Sequence, residues 1–556
     1  MDPTAHTALP RFQLAVSLGG GVSTGCWAAG VLDVLVEALD AWEQARLDGR
    51  EEAPRHEVLL ASIAGSSAGA ETAVLLAIAL RSRFPHVRLA GAEVPADALR
   101  NPLYAGWVEG ADVQQLLDVQ DGSDRVFRSL LDGTCTDRIV ERALATPRHL
   151  PQLDPPRRWV ANPLRVAVTV TNLEGVPVSV SDTAMAPARA FRVHADVLRF
   201  SLHGLGGTPS PEPARRDELE LAYPASPAAL PKAWSRLTQA AVASGAFPLL
   251  LPVRVVEWPR QAYDAWRIAT LPSTPAGPTQ PVLVPRWEKA KNSDEQVRFT
   301  AADGGVLNGA PVDIAREPLQ GESAVLLIHP LLDETPVEPP PAAALHRALP
   351  HRLMGALARA VWNDARVSAQ DVVAAIDERN PARFLIAPAR PDDPRRQTSR
   401  ALAGASVGAF GGYLHPDYRR HDYQLGRSNA RWALEHHLTL PENHPLFAQW
   451  TGTQRTAYRV QGATGPELPI VPLMPELRRA AETPLRWPDK RDPTASLAPL
   501  IDRRLDAVVR GLLHAYLPCC RLGRTVLRLL WAWLVARPVR NAALRSIRRN
   551  LQSWGL

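Results

Sequence analysis

The segment from Gly65 to Gly69, GSSAG, has the residue types and spacing of a serine nucleophile. It fits G-x-S-x-G with Ser67 in the centre, where Gly65 and Gly69 have no Cβ to crowd a sharp turn and the serine hydroxyl stands exposed. A serine in this position attacks the carbonyl carbon of an ester and becomes acylated. The pentapeptide alone is equally consistent with a Ser/Gly turn that has no chemical role.

A second glycine-rich turn precedes this segment and offers backbone N–H groups that no side chain covers, those of Gly19, Gly20 and Gly21. Together with the N–H of Ala68 at a helix start, such donors stabilise the negative charge that develops on the attacked carbonyl oxygen. The alternatives are a phosphate-binding loop and a plain strand-to-helix turn. The dinucleotide spacing G-x-G-x-x-G fails, because Thr24 stands at its last position and the next glycine is Gly25.

The third segment is Asp303, followed by the motif glycines Gly304 and Gly305. A nucleophilic serine needs a base, and a carboxylate within hydrogen-bond reach of the hydroxyl supplies one. Asp-Gly is also a common turn signal, so this segment alone does not separate a base from a turn.

Apolar runs place all three segments at the ends of predicted strands. Leu14 to Leu18 leads into the first glycine turn, Val58 to Ala64 into the serine turn, and 297–302 into the aspartate, while helical spacing follows the first two turns. Repetition of strand, tight turn and helix predicts an α/β fold with a mostly parallel sheet covered by helices. Further strands are predicted at 165–173, 324–328 and 384–387, and the polar stretch 195–230 is predicted to be a loop.

The order of glycine turn, G-x-S-x-G and a distant Asp-Gly-Gly resembles the patatin-like phospholipase family. Val166 to Val180 and Ala240 to Pro248 (AAVASGAFP) are similar to that family's strand pair and to its small-residue helix end. The segments 410–413 (FGGY) and 420–429 (RHDYQLGRSN) are similar to parts of many bacterial members. The resemblance covers residues 12 to about 330 and extends more weakly to about 435.

The resemblance implies a three-layer α/β/α fold and hydrolysis of lipid acyl esters, with glycerophospholipid as the expected substrate. Ser67 is then the nucleophile and Asp303 the base of a dyad that needs no histidine, cofactor or metal. Gly19, Gly20 and Gly21 are the expected oxyanion region. The family usually has Arg or Lys just before the last glycine of this motif, whereas the chain has Thr24, which leaves open which amides face the oxyanion.

Two alternatives of different classes remain open. An ordinary Ser-His-Asp triad requires a histidine after the acid, and His329, after the run 324–328, is placed for it. A non-catalytic lipid-binding or scaffold protein on the same fold would have the same motifs. His421 and Asp422 also concentrate polar groups, but we interpret them as residues that fasten the C-terminal part to the catalytic domain.

The chain is predicted to divide into a catalytic domain at 12–330, a Pro-rich connection at 331–343, a helical extension at 344–500 and a basic helical tail at 501–556. From Leu522, apolar residues of the tail share one face and arginines the other. A basic amphipathic helix suits a membrane interface, so residues 519–550 are predicted to contact a membrane peripherally; packing on the protein's own core is the alternative.

The charge distribution supports this division. The net charge is +6, but residues 501–556 carry eleven arginines against two aspartates, or +9, which leaves −3 for the first 500 residues. A slightly acidic body argues against nucleic-acid binding. No full membrane span is expected, and the four cysteines have no metal-ligand spacing. A bacterial cytoplasmic protein, peripheral on the inner face of the membrane, is therefore expected.

Overall fold

The structure is a computed structural model of the 556-residue chain. It describes residues 9–89, 93–122, 128–180, 189–266, 269–270, 281–285, 296–331, 383–393, 395–462, 465–480, 482, 485–490, 492–516 and 521–556, with isolated positions between 357 and 374. Residues 332–343 of the predicted connection and most of 344–382 lie outside the described residues, as do Cys519 and Cys520.

A twisted central sheet forms the middle layer, with the order β12-β11-β1-β2-β3-β10-β7. Its first five strands are parallel, and β10 is antiparallel to both β3 and β7. These strands and those that extend the sheet beside β3 are β1 (Arg11–Leu18), β2 (Glu57–Gly65), β3 (Arg157–Val180), β4 (Arg189–His203), β5 (Gly206–Pro209), β6 (Leu219–Ala222), β7 (Arg254–Pro259), β8 (Ala269–Thr270), β9 (Pro281–Pro285), β10 (Gln296–Asp303), β11 (Ser323–Ile328) and β12 (Arg383–Ile386).

Helices cover both faces of the sheet, because side chains that alternate along each strand are buried on both sides. In β1, Leu14 and Val16 belong to the large core that also holds the first helices, whereas Ala15 packs with a helix on the opposite face. The helices of the first 330 residues are α1 (Gly25–Leu47), α2 (Ala68–Ala79), α3 (Pro102–Gly110), α4 (Val113–Leu116), α5 (Thr134–Ala145), α6 (Leu230–Ala233), α7 (Ser235–Ser244), α8 (Arg260–Trp266) and α9 (Val312–Arg316). The three-layer fold confirms the predicted class.

The C-terminal region is largely helical, as predicted. Its helices are α10 (Gly411–Leu414), α11 (Pro416–His436), α12 (Gly452–Tyr458), α13 (Pro475–Arg479), α14 (Thr494–Tyr516), α15 (Arg521–Trp531) and α16 (Arg537–Trp554), with a π-helical turn at Ala532–Ala536. A small antiparallel sheet has the order β13-β15-β14, formed by β13 (Thr439–Pro441), β14 (Val460–Gln461) and β15 (Pro466–Pro469).

Described residues on the two sides of the predicted boundary at 330 pack together. Strand β12 pairs with β11 in the central sheet, and α11 lies along α1. Arg427 of α11 is fully buried and pairs with Asp33 and Glu37 of α1 and with Glu482. A buried guanidinium is tolerated only when its charge is paired, so these contacts lock α11 onto the first helix. The division into separate domains stays a prediction.

Glycines let α1 and α11 approach closely. A Cβ on Gly426 would overlap the carbonyl oxygen of Trp27, and one on Gly30 would overlap the carbonyl oxygen of Tyr423. Neither obstacle is the end of a flexible side chain, so the helices would have to separate to admit even a methyl group.

Gly426→Ala is therefore expected to lower the free energy of unfolding by about 1–3 kcal/mol, through overpacking at this crossing. The measurement is the urea midpoint followed by circular dichroism. Gly452→Ala is the matched control, because a Cβ there meets nothing within 4 Å. Equal midpoints for the two variants would show that the crossing has room for the methyl group.

One helix among the described residues, Val22–Leu47, is long and apolar enough to cross a membrane. Its most apolar 18-residue window is 89% buried inside the protein, which is the pattern of a core helix covered by other helices.

The prediction of a loop at 195–230 was wrong. This stretch contains most of β4 together with β5 and β6. In β4 the buried Leu198, Phe200 and Leu202 alternate with other residues and pair antiparallel with β3. The flanking prolines and charges obscured this period-2 pattern in the sequence.

Candidate active site

Ser67 occupies a sharp turn between β2 and α2. Its backbone has φ +54° and ψ −130°, a conformation that residues with a Cβ rarely adopt. Both motif glycines are required by contact: a Cβ on Gly65 would lie 2.5 Å from the carbonyl oxygen of Gly69, and a Cβ on Gly69 would overlap that of Leu18. The turn thus sets Ser67 at the helix start, as expected of a nucleophile elbow.

Asp303 ends β10 beside this serine. The Oγ of Ser67 donates a hydrogen bond of 2.6 Å to Oδ2 of Asp303, although 236 residues separate them in the chain. The other carboxylate oxygen, Oδ1, accepts a 2.7 Å bond from the N–H of Gly305. Gly304 is needed for the same turn, because a Cβ there would overlap the carbonyl oxygen of Thr169. The two predicted catalytic side chains are therefore in direct contact.

The environment of Asp303 makes it a stronger base than an ordinary aspartate. The residue is fully buried, and this burial raises its pKa to about 7, against the opposing effect of the hydrogen bonds from Ser67 and Gly305. A carboxylate with a pKa near 7 is ionised at slightly alkaline pH and takes up a proton readily. This is the property that a general base needs.

The first glycine turn lies against the serine. A Cβ on Gly20 would come within 3.1 Å of the Cβ of Ser67, so only glycine leaves the approach open. The N–H of Gly19 donates to Ile328 and that of Gly20 to Gly309, at 3.0 and 3.3 Å. Both amides already have acceptors, which leaves Gly21 as the residue of this turn whose N–H is available.

At the helix start, the N–H of Ala68 is one of the first-turn donors that have no acceptor within their own helix. Among the described residues neither this amide nor that of Gly21 has a hydrogen-bond acceptor. Thr24, the departure from the usual motif, donates from Oγ1 to the carbonyl oxygen of Gly21 at 2.6 Å. Thr24 therefore stabilises the glycine turn through a hydrogen bond within the turn. The oxyanion assignment stays a prediction, and the geometry favours Gly21 and Ala68 as donors.

Gly25, the remaining motif glycine, begins α1 beneath an aromatic ring. A Cβ on Gly25 would overlap the indole of Trp107. This indole donates from Nε1 to Oγ1 of Thr72 at 2.9 Å and forms one wall of the space beside Ser67.

His329 has a structural environment. Its ring packs against Gly19, where a Cβ would overlap it, and Nδ1 accepts a 3.1 Å bond from the N–H of Leu331. The hydroxyl of Ser67 is bonded to Asp303 instead. His329 thus caps the end of β11. A capping role is the alternative to the role of base in a triad.

A roof segment, residues 403–414, closes the site from the C-terminal region. Phe410 and Tyr413 of this segment line the space above Ser67. Asp422 accepts hydrogen bonds of 2.8 Å from the N–H groups of Ala403 and Gly404, and Nδ1 of His421 donates a 2.7 Å bond to the same carboxylate. His421 and Asp422 therefore hold the roof segment on α11, and these partners all lie within the C-terminal region instead of the catalytic domain expected from the sequence.

The enclosed space has a volume of about 20 Å³, enough for one water-sized group. It is lined by Val22, Ser67, Ala68, Glu71, Trp107, Thr136, Gly245, Phe247, Leu251, Asp303, Phe410 and Tyr413. An acyl chain enters only after some of these apolar side chains move.

Three polar residues of the site were missed by sequence reasoning. Oγ of Ser244 accepts a 2.8 Å bond from the N–H of Ser67, and Oγ1 of Thr171 donates to the carbonyl oxygen of Asp303 at 2.8 Å. Glu71, the third, lines the enclosed space. Ser244 lies in the small-residue run 240–248 that resembles the family. Nothing in the sequence indicates that its hydroxyl accepts a hydrogen bond from the N–H of Ser67.

Comparison with known proteins agrees with this geometry. The family model described as patatin-like phospholipase matches residues 16–316, and the chain belongs to this family. Patatin-like proteins are in general acyl hydrolases that act on lipids, which at this level makes the chain a hydrolase. The chain is also 27% identical to an uncharacterised protein named y4iI of Sinorhizobium fredii. The match covers 98% of the chain and 83% of that relative.

Proposed function

We propose that this protein is a serine hydrolase that cleaves the acyl esters of lipids through a dyad of Ser67 and Asp303. The observation that carries the proposal is the 2.6 Å hydrogen bond from the serine hydroxyl to a buried carboxylate. The strained elbow and the raised pKa of Asp303 support it, because both are the features of an activated nucleophile and its base.

The reaction follows from the positions of these groups. As Oγ of Ser67 attacks the ester carbonyl, its proton passes to Asp303, and the charge on the carbonyl oxygen is stabilised by the N–H groups of Gly21 and Ala68 and the start of α2. Asp303 then protonates the leaving alcohol. In the second half, Asp303 takes a proton from the water that attacks the acyl-serine. It returns this proton to Oγ of Ser67 as the bond between the acyl group and Oγ breaks and the fatty acid leaves.

The first test is direct. The protein is incubated with phosphatidylcholine vesicles and, separately, with a fluorophosphonate, and we expect fatty acid release and one phosphonate adduct on the peptide that contains Ser67. An adduct elsewhere would contradict the assigned nucleophile. An intact protein that binds the vesicles but gives neither product nor adduct would support the lipid-binding alternative.

A glycerophospholipid substrate is proposed together with peripheral contact with the inner face of a bacterial membrane. The support is the tail, where α15 and the following turn leave a set of apolar side chains exposed: Val526, Leu527, Leu529, Leu530, Leu534, Val535 and Val539. Beyond them, Leu551 and Trp554 are buried against the protein. The end of the tail therefore packs on the core, while its middle presents an apolar face among arginines.

The tail also contacts the roof. Oδ1 of Asn550 in α16 accepts a 2.6 Å hydrogen bond from the N–H of Val407, which lies in the roof segment. Val407 itself has φ +53°, a strained value for a β-branched residue. Binding of α15 and α16 to a membrane would thus act, through the bond from Val407 to Asn550, on the roof segment that covers the site.

Replacing Val526, Leu529 and Leu530 together with aspartate is expected to lower partition onto anionic liposomes by about tenfold or more, because it removes apolar contact and adds negative charge. Sedimentation with the liposomes measures this. Leu47→Asp is the control, since Leu47 is 59% exposed but lies at the far end of α1. Unchanged sedimentation of the triple variant would contradict membrane contact through the tail.

A further inference from the structure

Glu71 is a buried carboxyl group beside the nucleophile that the dyad mechanism does not use. It lies one helical turn after Ser67 on α2, and its N–H donates to the carbonyl oxygen of Ser67 at 3.2 Å. Residues four apart share one face of a helix, so its side chain points to the same side as the elbow. The residue is 2% exposed and lines the enclosed space.

The surroundings of Glu71 make room for the carboxyl group without pairing it. The end of the Glu71 side chain lies directly against Gly245, where a Cβ would come within 2.5 Å of Oε1. The nearby hydroxyl of Thr136 donates to the carbonyl oxygen of Gly133 at 2.9 Å. Among the described residues the carboxyl group of Glu71 has no hydrogen-bond or ion-pair partner.

Neighbouring positive charge compensates it only in part. Arg254 acts against the rise in the pKa of Glu71, but its guanidinium is bonded to Asp137 at 2.9 Å and to the carbonyl oxygen of Gly133 at 3.0 Å. Burial, and after it the charge of Asp303, raise the pKa of Glu71 well above its usual range. Both effects favour the neutral carboxylic acid, which donates through its O–H and accepts through its C=O.

A buried carboxyl group without a hydrogen-bond partner is less stable than a hydrogen-bonded one, because its desolvation is not offset. A catalytic cavity retains such a group at that cost when a ligand supplies the partner. The space beside Glu71 has a volume of about 20 Å³, which suits a small polar partner of about the size of a water molecule.

We propose that Glu71 is a specificity-determining residue, which hydrogen-bonds a hydroxyl group that the substrate carries close to the scissile ester. This inference rests on the proposed hydrolase function and deepens it. A hydroxyl group matches both the donor and the acceptor of the neutral acid and fits the space. An anionic group is disfavoured beside Asp303, and a cationic group gains little from a carboxyl group whose burial favours its neutral form.

The hydroxyl can belong to either part of the ester. It is on the acyl part in a hydroxyacyl ester, and on the alcohol part in an ester of glycerol. Two matched pairs of probes separate these sources: p-nitrophenyl 3-hydroxybutyrate against p-nitrophenyl butyrate, and monobutyrin against propyl butyrate. Each pair differs mainly in hydroxyl content, so the ratio of the two kcat/KM values measures the recognition of the hydroxyl group.

The wild type is expected to favour the hydroxylated member of one pair by about tenfold, as a site built to bond a hydroxyl group rejects the analogue that lacks it. Glu71→Leu is expected to bring the ratio close to one, mainly by slowing the hydroxylated ester. Glu71→Gln keeps a donor and an acceptor and is expected to retain most of the preference. Glu141→Leu, an exposed site on α5, is the control and should match the wild type.

Equal ratios for wild type and Glu71→Leu, or a wild type without preference in both pairs, would overturn the proposal. So would a preference for a choline ester over both hydroxylated esters that disappears in Glu71→Leu. These outcomes are read on protein whose Ser67 still reacts with a fluorophosphonate. Loss of that reaction in the wild type would instead refute the hydrolase function.

Discussion

Replacing Ser67 with alanine is expected to lower kcat/KM for a short-chain ester by about 10⁴-fold or more and to abolish fluorophosphonate labelling. Without Oγ no acyl-enzyme forms, and the remaining groups only bind the ester and stabilise the charge on its carbonyl oxygen. Hydrolysis of p-nitrophenyl butyrate, followed at 25 °C, measures the loss. The substitution removes one oxygen atom from a side chain that is already nearly buried, so we expect the fold to persist.

Ser66 is the matched control for this experiment. It precedes the nucleophile in the same motif and is fully buried, and among the described residues its Oγ has no hydrogen-bond partner. Ser66→Ala is expected to change kcat/KM by less than about threefold, since no bond to Asp303 is lost. A Ser66→Ala variant as inactive as Ser67→Ala would mean that the elbow tolerates no change. An active Ser67→Ala variant would remove this serine from the mechanism.

The elements that position the dyad were predictable because each has a strong local signal. Apolar runs that end in glycine mark β1, β2 and β10, and the steric contacts of Gly65, Gly69 and Gly304 explain why no other residue stands there. The contact between Ser67 and Asp303 followed only from resemblance, because no spacing rule links residues 236 positions apart. Topology brings them together: β2 and β10 lie on either side of β3.

The roof of the site was not predictable in the same way. Phe410 and Tyr413 come from a part of the chain assigned to an extension, and its place above the serine depends on distant contacts. Oγ of Ser23, next to the first glycine turn, donates to the carbonyl oxygen of Ala409 at 2.7 Å, and Arg427 is buried against α1. Such contacts pair groups that have no periodicity in the sequence.

Glu71 shows a second limit of sequence reasoning. It stands in an apolar helix, where an isolated charged residue is usually interpreted as a solvent-facing position. In the structure it is buried, and the end of its side chain lies against Gly245. The helix is buried on all sides, so its polar residue faces a cavity instead of water. A single residue of this kind becomes informative only once the packing is known.

Asp303→Asn is expected to lower kcat/KM by about 10³-fold, within the range for loss of a general base. The amide has the shape of the carboxyl group, and its Oδ1 still accepts a hydrogen bond from Ser67 or Gly305, so the geometry of the turn is retained. What the variant loses is the ability to hold the proton that leaves Oγ. Asp97→Asn, at an exposed position, is the control and should leave the rate unchanged.

The pH dependence separates this role from a merely structural one. Because burial raises the pKa of Asp303 to about 7, the group is protonated, and inactive as a base, at lower pH. We expect wild-type kcat/KM to fall about tenfold per pH unit below 7 and to be level above it, and the asparagine variant to lack this inflection. If the inflection persists in Asp303→Asn and disappears in His329→Gln, the base is the histidine and the triad, not the dyad, performs the reaction.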